Sequence, residues 1–425
     1  MKENTIPQSE YSTGADIRMT RLHRFARRAM LRRLERLEHG MLEIVEDGTR
    51  LQFGNAAGDD GLKARVTVHD PRFWADVALG GNTGAGDAYI KDRWSCDDLT
   101  AAVRILVLNR DVLLSLDDGA GWLTQPLHRL LHWFHRNSRD GSRRNIAAHY
   151  DLGNDLFEEF LDPTMNYSCG IFPNDSATME EASLEKMDAI CHKLDLGPDD
   201  HLLEIGTGWG GMAIHAAGHY GCRVTTTTIS RRQYELATER VAAAGLEDRI
   251  TLLLEDYRDL HGEYDKLVSV EMIEAVGHQY LDTYFSTCSK LLKPEGIMLL
   301  QAITIRDQVY DDAVNSVDFI KKYIFPGAFL PSVNAISDSV TRSTDMRMFH
   351  LQDIGPHYAT TLRRWRERFF GNISAIRRLG YPDTFVRMWE FYLCYCEGGF
   401  LERNIGNIQL LLAKPMNRRD SLGYA

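Results

Sequence analysis

The run Leu202-Leu203-Glu204-Ile205-Gly206-Thr207-Gly208-Trp209-Gly210-Gly211 sets a carboxylate and a cluster of glycines at the end of an apolar stretch. Without a Cβ, glycines let a ligand lie against the backbone, although such a turn also serves plain strand–helix packing. The spacing is GxGxGG, not the GxGxxG that cradles a dinucleotide pyrophosphate. Glu204, two residues before the turn, has no use to an anion and suits a ligand carrying an amino group and a sulfonium. The fifteen histidines show no HExxH or related spacing, so no metal is expected. Cys169 would be a nucleophile only with a histidine beside it, and no spacing fixes one. His149 reads as a structural or substrate-loop hydrogen bonder ahead of an acid–base group.

These groups need elements to hold them. His201–Ile205, Arg223–Ile229, Ile250–Leu254, Lys266–Val270 and Ile297–Ile303 are short apolar or β-branched runs. Helical patterns lie between them, among them Ser230–Ala244, with Ser230 as N-cap, and Tyr280–Leu292. Asn407–Ala413 reads as a last strand after a helical insertion at about 307–400. Strands alternating with helices predict an α/β, doubly wound parallel sheet with its ligand at the carboxyl ends of the strands. Residues 1–136 read as a smaller N-terminal α+β module, with a strand at Leu62–His69 and a helix at Leu99–Asn109. Between those two, Gly80–Gly86 reads as a turn region that needs positive φ. The polar stretch 137–145 reads as a linker, and 146–425 as the second domain.

The glycine turn with Glu204 matches the first motif of class I S-adenosylmethionine methyltransferases, which share a Rossmann-like fold. Thr225-Thr226-Thr227-Thr228-Ile229-Ser230 stands where most such enzymes place an acid for the ribose, with Gln233 one turn on. Further strings are Asn145 to Asp155 (containing HYDLGND), Tyr167-Ser168-Cys169, Asp256-Tyr257-Arg258-Asp259-Leu260, Glu271-Met272-Ile273-Glu274-Ala275-Val276-Gly277, Lys322 to Gly327 and Leu330-Pro331-Ser332. Together they resemble the cyclopropane-fatty-acyl-phospholipid synthase family from about Asn145 to Lys414. Gly84 to Tyr89 and Trp94 extend the likeness into the N-terminal module.

The resemblance implies methyl transfer from S-adenosylmethionine to the cis double bond of a phospholipid acyl chain, giving a cyclopropane through a carbocation. A methylene- or methyl-branched product and a soluble small-molecule substrate are the alternatives. A carbocation needs a dry pocket with aromatic faces; Phe319, Tyr323, Phe325, Phe329, Trp389, Phe391 and Tyr392 are candidates, most of them also explicable as helix core. Carried over by position, a bicarbonate base falls to the Cys169 backbone, Glu274, Gln301, the Ile303 backbone and Tyr392. Gln301 replaces the family's histidine and cannot carry charge. Glu271 stands where some members have glycine. Two close buried carboxylates push one pKa upward, so Glu271 either shapes the anion site or replaces part of its function as base, the plainer alternative being an acid that binds the ribose or a backbone amide. The cofactor contacts implied are Tyr167, Ser168, Glu204, Gly206, Gly208, Thr228, Gln233, Asp256 and Tyr257.

The 425 residues carry a net charge of −11, which argues against a nucleic-acid partner. Seven scattered cysteines without CxxC fit a reducing cytoplasm. Ile17–Glu38 nevertheless holds eight Arg against two Glu, with Leu22, Phe25, Ala29, Met30, Leu34 and Leu37 at helical spacing. Pro126–Asn145 is a second basic amphipathic stretch. Each is either an ordinary solvated helix face, a homodimer contact, or a dock on an anionic phospholipid bilayer. With the resemblance, the last is expected: a peripheral protein on the inner face of the membrane.

Overall fold

The computed structural model describes residues 19–55, 61–110 and 153–420. His149, the linker and the basic stretch at 126–145 lie outside them. In the N-terminal part, α1 (Arg21–Leu34) leads into β1 (Gly40–Glu46), β2 (Thr49–Asn55) and β3 (Lys63–Val68). Next come α2 (Arg72–Ile90), β4 (Trp94–Cys96) and α3 (Leu99–Leu108). The four strands form one sheet in the order β2-β1-β3-β4. Alternation puts Ala64, Val66 and Val68 of β3 inside and Lys63 and Arg65 outside.

Gly80–Gly86 is not a turn between elements. It lies inside α2, which kinks at Gly81 (φ 52°, ψ −133°). Gly84 and Gly86 permit close approach: a Cβ on Gly86 would sit 2.3 Å from the Phe319 ring. The cluster looks like a turn in sequence because glycine serves both purposes.

The second part begins with α4 (Asn154–Phe160) and α5 (Met179–Leu194). Its sheet is laid down by β5 (His201–Ile205), α6 (Gly211–Tyr220), β6 (Arg223–Thr227), α7 (Arg231–Ala243) and β7 (Ile250–Leu253). β8 (Tyr264–Val270), α8 (Leu281–Leu291) and β9 (Leu292–Ile305) follow. Then come α9 (Tyr310–Asn315), α10 (Val333–Ser343), β10 (Arg347–Asp353), α11 (Gly355–Gly371), α12 (Ile373–Arg378), α13 (Asp383–Leu401) and β11 (Ile405–Ala413). The seven strands run in the order β10-β11-β9-β8-β5-β6-β7. The five strands β9, β8, β5, β6 and β7 are parallel, and β11 is antiparallel to β9. The chain winds outward from β5 to β7, then returns to β8 on the other side of β5. The gap between β5 and β8 is therefore the switch point where ligands bind. The insertion is not purely helical, because β10 pairs with β11 at the sheet edge. Its exposed or half-buried residues lack the apolar run that marks the inner strands.

The N-terminal part packs against α13. Tyr89 donates to Glu390 (2.7 Å) and Thr100 to Glu397 (3.1 Å). Arg387 reaches the carbonyls of Tyr89 (2.5 Å) and Trp94 (2.7 Å), while Tyr323 and Lys322 converge on Asp87. Phe319 and Phe391, their ring centroids 4.6 Å apart, sit against Gly86 in this seam. Overpacking a buried ring costs about 1–3 kcal/mol. Gly86→Ala is therefore expected to lower the urea midpoint by a corresponding amount, measured by equilibrium denaturation. An unchanged midpoint would show that the seam is looser than described.

Candidate active site

One cavity of about 1040 Å³ opens at the switch point and extends to the N-terminal part. Ligand sites typically measure about 300–1,000 Å³, so this one lies at the large end of that range. All nine residues expected to bind the cofactor line it: Tyr167, Ser168, Glu204, Gly206, Gly208, Thr228, Gln233, Asp256 and Tyr257. The turn after β5 needs its glycines. Gly206, Gly208 and Gly210 have φ of 106°, 53° and 86°, and side chains there would be strained. Glu204 is buried and accepts a hydrogen bond from Thr226 (2.6 Å). Burial pushes its carboxyl up to about 8, which a cationic ligand would reverse. In place of a ribose-binding acid, the Thr228 hydroxyl donates to Gln233 (2.9 Å), leaving the amide NH2 of Gln233 as a donor on the wall. Arg258 clamps Asp256 with bonds of 2.8 and 2.6 Å.

Beyond the glycine turn, Tyr167, Phe325, Phe329, Tyr358, Phe391, Tyr392, Tyr395 and Phe400 make the walls aromatic. Phe319 and Trp389 are wholly buried core side chains, and Tyr323 is held by Asp87. Tyr392 and Tyr167 join hydroxyls at 2.9 Å.

The six residues expected to do the chemistry divide into two layers. Glu271, Glu274, Ile303 and Tyr392 line the cavity; Cys169 and Gln301 do not. Instead the Cys169 amide (3.0 Å) and the Gln301 side-chain amide (2.8 Å) both donate to Glu271 Oε1. Asn407 Nδ2 reaches the same oxygen at 2.6 Å, and the Tyr358 hydroxyl donates to Oε2 at 2.7 Å. Four donors thus converge on one carboxylate. The backbone supports this geometry: Glu271 sits at φ 49°, and its amide donates to the Gln301 carbonyl (2.8 Å). A non-glycine residue held there costs about 1–3 kcal/mol, so the surroundings must fix it. The expected bicarbonate does not fit this arrangement, since Glu271 holds two of the donors assigned to it.

Glu274 accepts from the Ile303 amide (2.5 Å) through Oε1, while its buried Oε2 has no hydrogen-bond partner among the described residues. Burial, then the Glu271 charge, pushes its carboxyl up to about 8. The Cys169 thiol is wholly buried and pushed well above its usual range, which suits no nucleophile. Tyr358 and Asn407 were not anticipated. Asn407 and Gln409 are polar residues buried in an otherwise apolar strand, a detectable signal, whereas nothing in the spacing marks Tyr358.

Known proteins resemble this chain over much of its length. The family profile described as mycolic acid cyclopropane synthetase matches residues 137–410. Tuberculostearic acid methyltransferase UfaA1 of Mycobacterium tuberculosis is 40% identical over 367 residues, 82% of this chain and 83% of the relative. Cyclopropane-fatty-acyl-phospholipid synthase of Escherichia coli is 38% identical over 359 residues, 83% and 88% respectively. Among solved structures, mycolic acid cyclopropane synthase CmaA1 complexed with SAH and CTAB superposes with a TM-score of 0.60 at 30% identity, covering 64% of this chain and 98% of that one.

The raised carboxyls have a consequence for stability. An acid whose folded pKa exceeds its unfolded value binds more protons when folded, so stability falls as pH rises between the two values. For Glu274 that window runs from the ordinary 4.5 to about 8. The urea midpoint of the ligand-free protein is expected to fall across that range. Glu274→Gln should flatten the fall, with Glu204 supplying what remains. An identical slope in the variant would contradict the burial of Glu274.

Proposed function

The chain belongs to the mycolic acid cyclopropane synthetase family of S-adenosylmethionine-dependent methyltransferases, and from that premise we propose that it alkylates the cis double bond of an unsaturated acyl chain in a bilayer phospholipid. The observation that carries this reading is the continuity of the cavity, from the glycine turn past an aromatic wall to the N-terminal part. S-adenosylmethionine supplies an electrophilic methyl: the π pair attacks it, the C–S bond breaks toward sulfur, and a carbocation remains on the chain. Tyr167, Ser168, Glu204, Thr228, Gln233, Asp256 and Tyr257 bind the donor, and Gly206 and Gly208 give it room. Tyr392, Phe325, Phe391 and Phe400 exclude water and turn ring faces to the cation.

A proton must then leave. Glu271 stands in the place of a bound anion, oriented by Cys169, Gln301, Asn407 and Tyr358. Glu274, fixed by the Ile303 amide, offers Oε2 as the oxygen that takes the proton. Loss from the new methyl closes a cyclopropane. A 1,2-hydride shift that places the cation on the methyl-bearing carbon, followed by loss of a proton from that same methyl, gives a methylene branch, the second reading.

α1 supplies the approach to the bilayer. Its Met30, Arg33 and Leu34 line the cavity, while Leu22 and Phe25 are 53% and 73% exposed beside exposed Arg21, Arg24 and Arg28. Among the described residues no helix is long and apolar enough to cross a membrane. Docking on the anionic inner face would let an acyl chain enter without crossing water.

Three experiments test this function. With bicarbonate stripped from the assay, wild-type turnover on unsaturated phospholipid vesicles is expected to stay within about twofold, while Glu274→Gln falls by ~10²-fold or more. Glu271→Gly should lose activity and regain part of it with added bicarbonate; bicarbonate dependence of the wild type would refute the assignment. Lipid mass spectrometry should show the gain of one methylene, and olefin-sensitive derivatisation separates ring from branch. Vesicle sedimentation should be lost as the Debye length falls from about 10 Å at 0.1 M salt to ~3 Å at 1 M, and weakened by Phe25→Ala. Salt-independent binding would count against docking through α1.

A further inference from the structure

The donor end of the cavity is acidic: Glu204, Glu255, Asp256, Glu271 and Glu274 all line it. That suits a sulfonium and an ammonium. The donor, however, also carries a carboxylate on its methionyl part, for which an acidic wall offers no partner. Arg258 lines the same end, but both oxygens of Asp256 hold its guanidinium.

Lys186, on α5, lies just behind this wall. It is 1% exposed and does not itself line the cavity. Its ammonium donates to Ser168 Oγ at 2.9 Å and to Asn166 Oδ1 at 3.0 Å, and both of those residues do line the cavity. Among the described residues, the Ser168 hydroxyl makes no other hydrogen bond. Its lone pair faces the ammonium, so its proton must point elsewhere. The Asn166 amide is fixed in the same sense, its Nδ2 donating to Thr164 Oγ1 at 2.8 Å. Holding a lysine in a dry interior is costly, and burial does lower its proton affinity. The acidic side chains of Glu271, Asp162 and Glu204 face it and partly offset that loss.

We propose that Lys186 and Ser168 together recognise the methionyl carboxylate of S-adenosylmethionine, the hydroxyl donating the contact and the buried ammonium behind it supplying the charge. This rests on the assignment of that donor to the cavity. Lys186 is a positioning residue: it turns the hydroxyl into a donor and offsets the acids around it. The same lysine acting only as a counter-ion for Glu271 and Glu204 would hold the loop together without discriminating among ligands.

The test is calorimetric binding of S-adenosylmethionine and of its decarboxylated analogue to the wild type, Ser168→Ala and Lys186→Met. A hydrogen bond to a charged group is worth about ten- to a hundredfold in affinity. Both variants are expected to weaken S-adenosylmethionine binding by that factor and to leave the decarboxylated analogue within about twofold. Equal weakening of the two ligands, or none, would overturn the inference. Should Lys186→Met fail to fold, Ser168→Ala alone decides the matter. A wild type that binds neither ligand would overturn the donor assignment itself.

Discussion

One carboxylate held by four donors organises this site. Glu271 leaves the end of β8 in a left-handed conformation and turns its side chain back over the sheet. There it meets the Cys169 amide, Gln301 on β9, Asn407 on β11 and Tyr358 on α11. Each donor arrives on a different element, so the bond network forms only when the sheet, the insertion and the loop before α5 have all docked. A carboxyl group in that position is then part of the protein itself. Its field contributes to the raised proton affinity of Glu274, three residues on.

The neighbouring features follow from this charge. Lys186 is buried beneath the same loop and faces Glu271, Glu204 and Asp162. The cavity therefore has a charged end and an aromatic end, and in the proposed reaction positive charge moves from the first toward the second. Low dielectric strengthens each of these interactions, which makes an unpaired group costly and a displaced one disruptive. The N-terminal part belongs to the same design. Its helices complete the acyl end, and Phe319 and Phe391 close the seam where Gly86 leaves room for them.

Much of the sheet was legible because its strands are buried on both faces and read as apolar runs between helical patterns. β5, β6, β7, β8 and β11 fall where those runs lie. β10 was hidden by its position: an edge strand with polar, half-exposed residues carries no such pattern. The α2 glycines misled for a different reason, since close packing and tight turns both select residues without a Cβ. At the site, the glycine turn and Glu204 could be read from chemistry alone, and Glu271 and Glu274 from position within a recognisable string. Tyr358 and Lys186 could not. They lie 87 and 85 residues from Glu271 in the chain, and only the fold brings them to it.

The central claim is that the protein's own carboxylate fills the anion position. A crystal structure of the protein with S-adenosylhomocysteine, grown in bicarbonate buffer, addresses it directly. The account predicts Glu271 within hydrogen-bonding distance of the Cys169 amide and of Gln301, Asn407 and Tyr358, with no separate anion among them. A planar anion bound to the Cys169 amide, with Glu271 turned away, would contradict it.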